Sequence, residues 1–453
     1  MPSENNATTT RRKLFSGLAK PAAAAGAITV RTGSHGEKVS ILGYGAMRLP
    51  TTDGGHATGR AGKPGSGSSS AEIDQDAVNG HIDYALAHGV NYFDTSPVYC
   101  MGRSERVLGN ALARHPRSSY FVATKLSNFN ERLWPLEKSR EMFENSLKYL
   151  HTDYIDFYLM HSIGNGGFAT FSKRYLENGA LDWLVKEREA GRVRNLGFSF
   201  HGDPKAFEWC MENHSKYHWD FCQIQMNYVD WLHAKEVNDR NLNAKYLYET
   251  LAAKDIPVVV MEPLLGGRLA RFNYAVTSKL KSMDAEASIA SWAFRFCGTY
   301  PRVLTILSGM TYIEHLEENV ATFSPLKPLS RKELDSLEVA ARLMLQNKTV
   351  PCNLCQYCMP CPYGIDIPGI FDCWNTACTE DRLPEDPASA SYVENRRRFL
   401  KDYDRSMPHL RQAEHCIGCS RCVPHCPQRI DIPKQMAEID AQVAQWRKEE
   451  RHV

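Results

Sequence analysis

The sequence predicts an α/β protein: a closed (β/α)8 barrel followed by a small, helix-rich domain. Two observations predict the barrel. Short apolar runs alternate with helical stretches of about 10–15 residues, the pattern of βαβ units and a parallel sheet. Eight such runs fall within about 300 residues, which suits a closed barrel better than an open sheet. A third observation predicts the second domain: ten of the 14 cysteines crowd between Cys352 and Cys426. A doubly wound sheet is the alternative, but no G-x-G-x-x-G follows an early strand. The expected boundaries are an extension over 1–26, the barrel over 27–348 and the cysteine-rich domain over 349–453.

The elements follow in order. Val39 to Met47 is apolar and glycine-rich, a first strand running into a loop. Residues 51–71 are low-complexity Gly, Ser and Thr, an insertion. Val78, Ile82, Ala85 and Leu86 mark one face of a helix closed by Gly89. Strands are expected at Val90–Asp94, Tyr120–Lys125 and Tyr154–His161, with a helical stripe at Met142, Phe143, Leu147 and Leu150 before the last. The alternation continues through Arg194–Ser199, Phe221–Gln225, Ile256–Glu262 and Val303–Ser308.

The bulk numbers exclude several classes. Hydrophobic residues make up 43%, enough for a sizeable core, and 453 residues are too many for one ordinary domain unless it is a large barrel. A net charge of +2 gives no reason to expect nucleic acid or an anionic membrane as partner. No run of eighteen apolar residues exists to form an integral membrane segment. Thr10-Arg11-Arg12-Lys13-Leu14-Phe15, with Ala22 to Ala27 behind it, is similar to a twin-arginine export signal. Lys20 and Pro21 interrupt its apolar stretch, so a basic leader on a cytoplasmic protein is the expectation and export of the folded chain the alternative.

The cysteines form two runs. One reads Cys352-x2-Cys355-x2-Cys358-x2-Cys361-Pro362, the other Cys416-x2-Cys419-x2-Cys422-x3-Cys426-Pro427. Three thiolates at steps of three with a Cys-Pro beyond is the ligand pattern of a 4Fe–4S cluster, so two clusters are expected. A disulfide framework suits tandem C-x2-C steps less well. Zinc sites pair two C-x2-C knuckles and need neither the third close cysteine nor the Cys-Pro.

In a barrel, catalytic groups sit where strands end. Asp94, Lys125 and His161 end three successive expected strands, and Tyr99 follows Asp94 by five residues. A nearby ammonium lowers a phenol's pKa from its usual ~10, and a carboxylate can hold that ammonium. Tyr99 can then give a proton to a carbonyl oxygen that His161 also bonds. Each residue has a plainer reading: a helix-capping Asp, a solvated Lys, a satisfied core His. Their joint placement favours chemistry.

Residues 28–325 resemble the aldo/keto reductase superfamily, whose fold is the (β/α)8 TIM barrel. The resemblance rests on Leu42-Gly43-Tyr44-Gly45-Ala46-Met47, Asn91-Tyr92-Phe93-Asp94-Thr95 with Tyr99, and Gly102-x-Ser104-Glu105-x2-Leu108-Gly109. It continues through Ala123-Thr124-Lys125, Asp153 to Asp156 with Leu159-Met160-His161, and Gly191 to Ser199. It implies a tetrad of Asp94, Tyr99, Lys125 and His161, with Tyr99 as proton donor and hydride from NADP or NAD. It also implies cofactor contacts at Gly45, Met47, Ser199, Gln223 and Ser308, with Met261 where the family stacks a tyrosine on the nicotinamide. Pro263, Leu264 and Gly266 match the loop along the pyrophosphate, and Glu318 and Asn319 the adenine end. His315 and Gly309 stand where members specific for the 2′-phosphate carry basic residues.

The tail resembles a two-cluster ferredoxin module, in which the fourth cysteine of each run ligates the other cluster. That implies one set of Cys352, Cys355, Cys358 and Cys426, and another of Cys416, Cys419, Cys422 and Cys361. The 54 residues between the runs hold helical sequence, including Tyr392 to Tyr403. Cys373 and Cys378, there at x4 spacing, read as buried small side chains. Nicotinamide moves two electrons as hydride and each cluster moves one, and no flavin signature links them. The leading reading is an oxidoreductase acting on a small carbonyl or alcohol, with clusters for structure or for exchange with a redox partner protein. The alternative is an electron-transfer or redox-sensing protein whose barrel is a binding scaffold. Specificity would lie in loops 162–180 and 226–245, with Trp231 and His233 as candidates.

Overall fold

The computed structural model describes residues 27–57, 72–237, 241–272, 274–346 and 348–451. The leader over 1–26 and residues 58–71 of the low-complexity insertion lie outside them.

Two short strands, β1 (Val30–Thr32) and β2 (Lys38–Ser40), form an antiparallel hairpin. The barrel strands follow: β3 (Leu42–Gly45), β4 (Tyr92–Asp94), β5 (Phe121–Leu126), β6 (Ile155–Ile163), β7 (Val193–Phe200), β8 (Phe221–Gln225), β9 (Val258–Met261) and β10 (Val303–Ser308). They pair in chain order, all parallel, and β10 pairs with β3 to close the barrel. Helices such as Gln75–Ala87 and Leu136–Tyr149 return the chain between strands. Val78, Ile82 and Ala85 are buried as their spacing predicts.

The expected first strand, Val39 to Met47, breaks at Ile41. Its start belongs to the hairpin, which seals the end of the barrel where strands begin. There Arg31 donates to the carbonyls of Gly298, Tyr300 and Val303, and Ser34 Oγ to that of Asp220. One guanidinium thus satisfies carbonyls at the end of the helix Ile289–Thr299 and at the start of β10. Inside the barrel, Tyr92, Phe157, Leu159, Phe221, Val259 and Leu304 pack together. A larger apolar shell lies between sheet and helices.

A second hydrophobic core begins at Val350 and gathers Phe371, Phe399, Tyr403, Met436 and Trp446. Its helices are Ile367–Thr379, Tyr392–Ser406 and Ile432–Arg451. This helix-rich region holds both cysteine runs. It lies against the other mouth of the barrel, where strands end. Among the described residues no helix is long and apolar enough to cross a membrane.

Candidate functional site at the barrel mouth

The strand ends bring the four predicted polar residues together. Asp94 closes β4, Lys125 lies one residue from the end of β5, and His161 lies two residues from the end of β6. Lys125 Nζ donates to both Asp94 oxygens, at 2.7 and 2.6 Å, and to the Thr95 carbonyl at 2.8 Å. It lies 4.9 Å from the centre of the Tyr99 ring, and the Tyr99 and His161 rings meet edge to face at 6.0 Å. All four side chains are buried.

The electrostatics correct one expectation. The sequence suggests that Lys125 lowers the Tyr99 phenol; instead the phenol is held well above its usual value, by burial first and then by Asp94. Asp94 already neutralises the ammonium, so little net positive field reaches the phenol. Burial pushes the Asp94 carboxyl up and the Lys125 ammonium down, while their contact opposes both shifts. A phenol so placed stays protonated, which suits a donor.

Several supporting groups were not foreseen. Ser127 Oγ lies 2.6 Å from His161 Nδ1, with Ser96 Oγ at 3.4 Å. These contacts hold the ring by its Nδ1. Buried Arg174 donates to the His161 and Ser162 carbonyls and to Tyr175 Oη. Beyond β8, Asp230 Oδ2 accepts from Gln225 and Asn227, at 2.7 and 2.6 Å. The alternation Gln223, Gln225, Asn227 was the available signal for an inward polar row. Trp231 and His233, expected to line the specificity loop, turn away. Trp231 packs on Tyr248, Phe296 and Tyr300, and His233 pairs with Glu236 and Glu338.

Glu105 sits behind Lys125, bonded by Thr124 Oγ1. Burial raises its carboxyl from 4.5 to about 7, partly offset by Thr124, Ser146 and Lys125. A carboxyl raised in the folded state holds its proton there after the unfolded chain has lost it. Its contribution to stability is therefore full below pH 4.5 and lost as pH rises to about 7. At ~1.4 kcal/mol per pKa unit this is about 3 kcal/mol. Glu105→Gln should flatten the dependence of Tm on pH in that window and raise Tm at pH 8; an unchanged pH profile would remove Glu105 as its source.

The nucleotide positions are placed unevenly. Gln223 Oε1 is enclosed and has no partner, while its Nε2 donates to Met261 Sδ at 3.4 Å. An unpaired buried amide oxygen calls for a polar ligand, so the nicotinamide end fits. Ser199 Oγ accepts from Ser162 N, and Asn319 Nδ2 donates to Ser308 Oγ. Gly45 lies against the Ser308 carbonyl, and the carbonyl of Met47 accepts from Cys100 Sγ. Glu318 lies with Asn319 on the helix Ile313–Thr322. Pro263, Leu264 and Gly266 follow β9, and Gly266 is covered by Asn353 of the tail.

The cysteines separate into two groups of four that cut across the runs. Cys426 lies within electrostatic reach of Cys352, Cys355 and Cys358, and burial with mutual repulsion holds those three thiols high. Cys361, Cys416, Cys419 and Cys422 line one pocket with Ile365, Ile432 and Met436. Cys373 and Cys378 lie apart on the helix Ile367–Thr379, where Cys378 Sγ donates to the Lys348 carbonyl. Among the described residues the ligand-type trio drawn within 4.8 Å is His409, Glu414 and His415, not three cysteines. A single zinc needs its sulfurs about 3.8 Å apart.

A closed parallel barrel with polar side chains converging where its strands end is the architecture of a (β/α)8 enzyme. The chain belongs to the aldo/keto reductase family, whose model matches residues 42–341. It is 27% identical to L-galactose dehydrogenase of Arabidopsis thaliana, over 72% of this chain and 97% of that one. It is 26% identical to the uncharacterized oxidoreductase YqkF of Bacillus subtilis, over 57% of this chain and 85% of that one. In fold it is similar to aldo-keto reductase AKR11C1 from Bacillus halodurans, with a TM-score of 0.53 and 20% identity, covering 69% of this chain and 96% of that one. The matched family domain ends before the cysteine runs. The chain is an oxidoreductase of this family with an additional helix-rich, cysteine-bearing region.

Proposed function

We propose that the barrel interconverts a small carbonyl and its alcohol, using NADP or NAD, and that the tail carries two 4Fe–4S clusters. The observation that carries the first part is Tyr99, buried beside His161 and the Lys125–Asp94 pair. The crossed grouping of eight cysteines supports the second.

When bound, a reduced nicotinamide supplies hydride and each cluster exchanges one electron. The residues do the rest. Tyr99 donates its phenolic proton to the carbonyl oxygen, and His161, fixed through Nδ1 by Ser127, hydrogen-bonds the same oxygen. As phenolate forms, the Lys125 ammonium, 4.9 Å from the ring centre and held by Asp94, offsets the carboxylate's opposition to the new charge. In the reverse direction Tyr99 takes the proton from the alcohol. Gln223 Oε1, enclosed without a partner, would accept from the carboxamide of a nicotinamide. Cys352, Cys355, Cys358 and Cys426 would hold one cluster, and Cys361, Cys416, Cys419 and Cys422 the other. The exposed Cys419 makes the second set the side open to a redox partner protein.

The name of the Arabidopsis relative supports an aldose or related polyol as the substrate class. The test is anaerobically prepared protein assayed for NADPH and NADH oxidation with a panel of aldehydes, ketones and aldoses, and for NAD(P)+ reduction with L-galactose. Nicotinamide turnover with at least one member is expected; none across the panel in either direction would overturn the reading.

A further inference from the structure

The tail does not merely adjoin the barrel. Asn353, between Cys352 and Cys355, sits in the loop that follows β9. A Cβ on Gly266 would overlap the Asn353 side chain and lie 2.5 Å from its Cα. Gly266 also has φ +70°, which favours glycine. Asn353 Nδ2 donates to Glu262 Oε1 at 2.9 Å, and its carbonyl accepts from Arg48 Nη2. Arg48 reaches it across the end of β10, its Cδ 3.5 Å from where a Gly309 Cβ would stand. Asn353 is 5% exposed.

The segment that carries it is fixed at its start. Arg268 Nη2 donates to Thr349 Oγ1 at 2.7 Å. Val350 exchanges two hydrogen bonds with the Asn375 side chain, and Trp374 Nε1 donates to the Lys348 carbonyl. Leu354 and Gln356 hold φ of +55° and +60°, conformations that non-glycine residues keep only when neighbours impose them. Gln356 Oε1 and Arg268 Nη1 are both enclosed without partners. Across the mouth, Arg429 Nη2 lies 3.4 Å from the Gly164 carbonyl, beyond β6. Tyr357 is near enough to Tyr99 to push its phenol further up, after burial and Asp94.

We infer that the segment Thr349–Tyr357 is a latch over the nucleotide loop, with Asn353 as its tip, and that nucleotide and latch exclude one another at Gly266. This rests on the nicotinamide reading above. The two cannot share the site, because the cradle left by the missing Cβ of Gly266 is already filled. Nucleotide therefore binds the fraction of molecules in which Asn353 has left Glu262 and Arg48, and its apparent affinity is reduced by that fraction. Two hydrogen bonds at one residue, given by Asn353 to the Glu262 carboxylate and accepted by its carbonyl from Arg48, are enough to hold the closed form as the major one.

The test uses full-length protein with its iron retained, and NADPH and NADH as probes. Asn353→Gly removes both the Cβ that fills the cradle and the bond to Glu262. It should tighten nucleotide binding about five- to tenfold, the factor that one such bond carries, with iron content unchanged. In the unaltered protein, saturating nucleotide should speed hydrogen exchange of the amides of 349–357. Equal affinity in both proteins, or slower exchange of that segment on binding, overturns the latch and leaves the nucleotide reading standing. If neither protein binds either nucleotide at millimolar concentration, both fall together.

Discussion

Replacing Tyr99 with phenylalanine lowers kcat for carbonyl reduction by about 100- to 10,000-fold, the range that a positioned general acid contributes. Nucleotide affinity should stay within about twofold, because the phenolic oxygen is the only atom removed. The effect is large because the neighbouring Lys125 and His161 are already engaged. Lys125 is committed to Asp94 and to the Thr95 carbonyl, and His161 Nδ1 is committed to Ser127. A pH profile adds a second reading. Burial, then Asp94, holds the phenol well above its usual range, and an acid acts as donor at pH values below its pKa. Reduction should therefore show no loss of kcat through mildly alkaline pH from this group. Stopped-flow absorbance of the nicotinamide measures both. Turnover of the phenylalanine variant at the original rate would remove Tyr99 as donor.

The barrel and its polar residues were legible because both follow from local pattern. Apolar runs between helical stripes set the strands, and in a parallel barrel the last residues of successive strands share one face. So Asp94, Lys125 and His161 had to converge, whatever the details of packing. The ionisation of Tyr99 was not legible. It depends on burial, a tertiary property, and on Asp94 having already neutralised Lys125. Ser127 and Arg174 were missed for a related reason: a serine two residues past Lys125 has no pattern of its own, and its role appears only when His161 lies beside it. Trp231 and His233 were misplaced because loop membership does not say which way a side chain turns. The helix of residues 230–237 carries them toward Tyr300 and Glu338. The seat of Asn353 on Gly266 joins residues 87 apart in the chain with no periodicity to announce it.

If the tail carries the two proposed clusters, removing Cys426 should abolish the first and spare the second, although Cys426 stands in the second run. The sequence alone leaves two partitions of the eight cysteines, one run per cluster or a crossed exchange. The fold favours the exchange. Cys426 follows the short turn Val423–His425 and is buried in the tail core, within electrostatic reach of the thiols of Cys352, Cys355 and Cys358. Cys361 has moved the other way, into the pocket with Cys416, Cys419 and Cys422. Each cluster would then bridge the two ends of the tail and close a loop of about 60 residues, a cross-link that constrains the unfolded chain strongly. Cys426→Ala and Cys355→Ala should thus look alike: iron falling from about eight to about four atoms per chain, with the same EPR signal lost. Cys361→Ala should lose the other signal. If instead Cys426→Ala matches Cys419→Ala, each run holds its own cluster. The crossed arrangement also has a structural consequence. Cys352 and Cys355 flank Asn353, so loss of the first cluster should free the segment at the barrel mouth, while loss of the second should leave it seated. Hydrogen exchange at 349–357 in the Cys426→Ala and Cys361→Ala variants separates these outcomes.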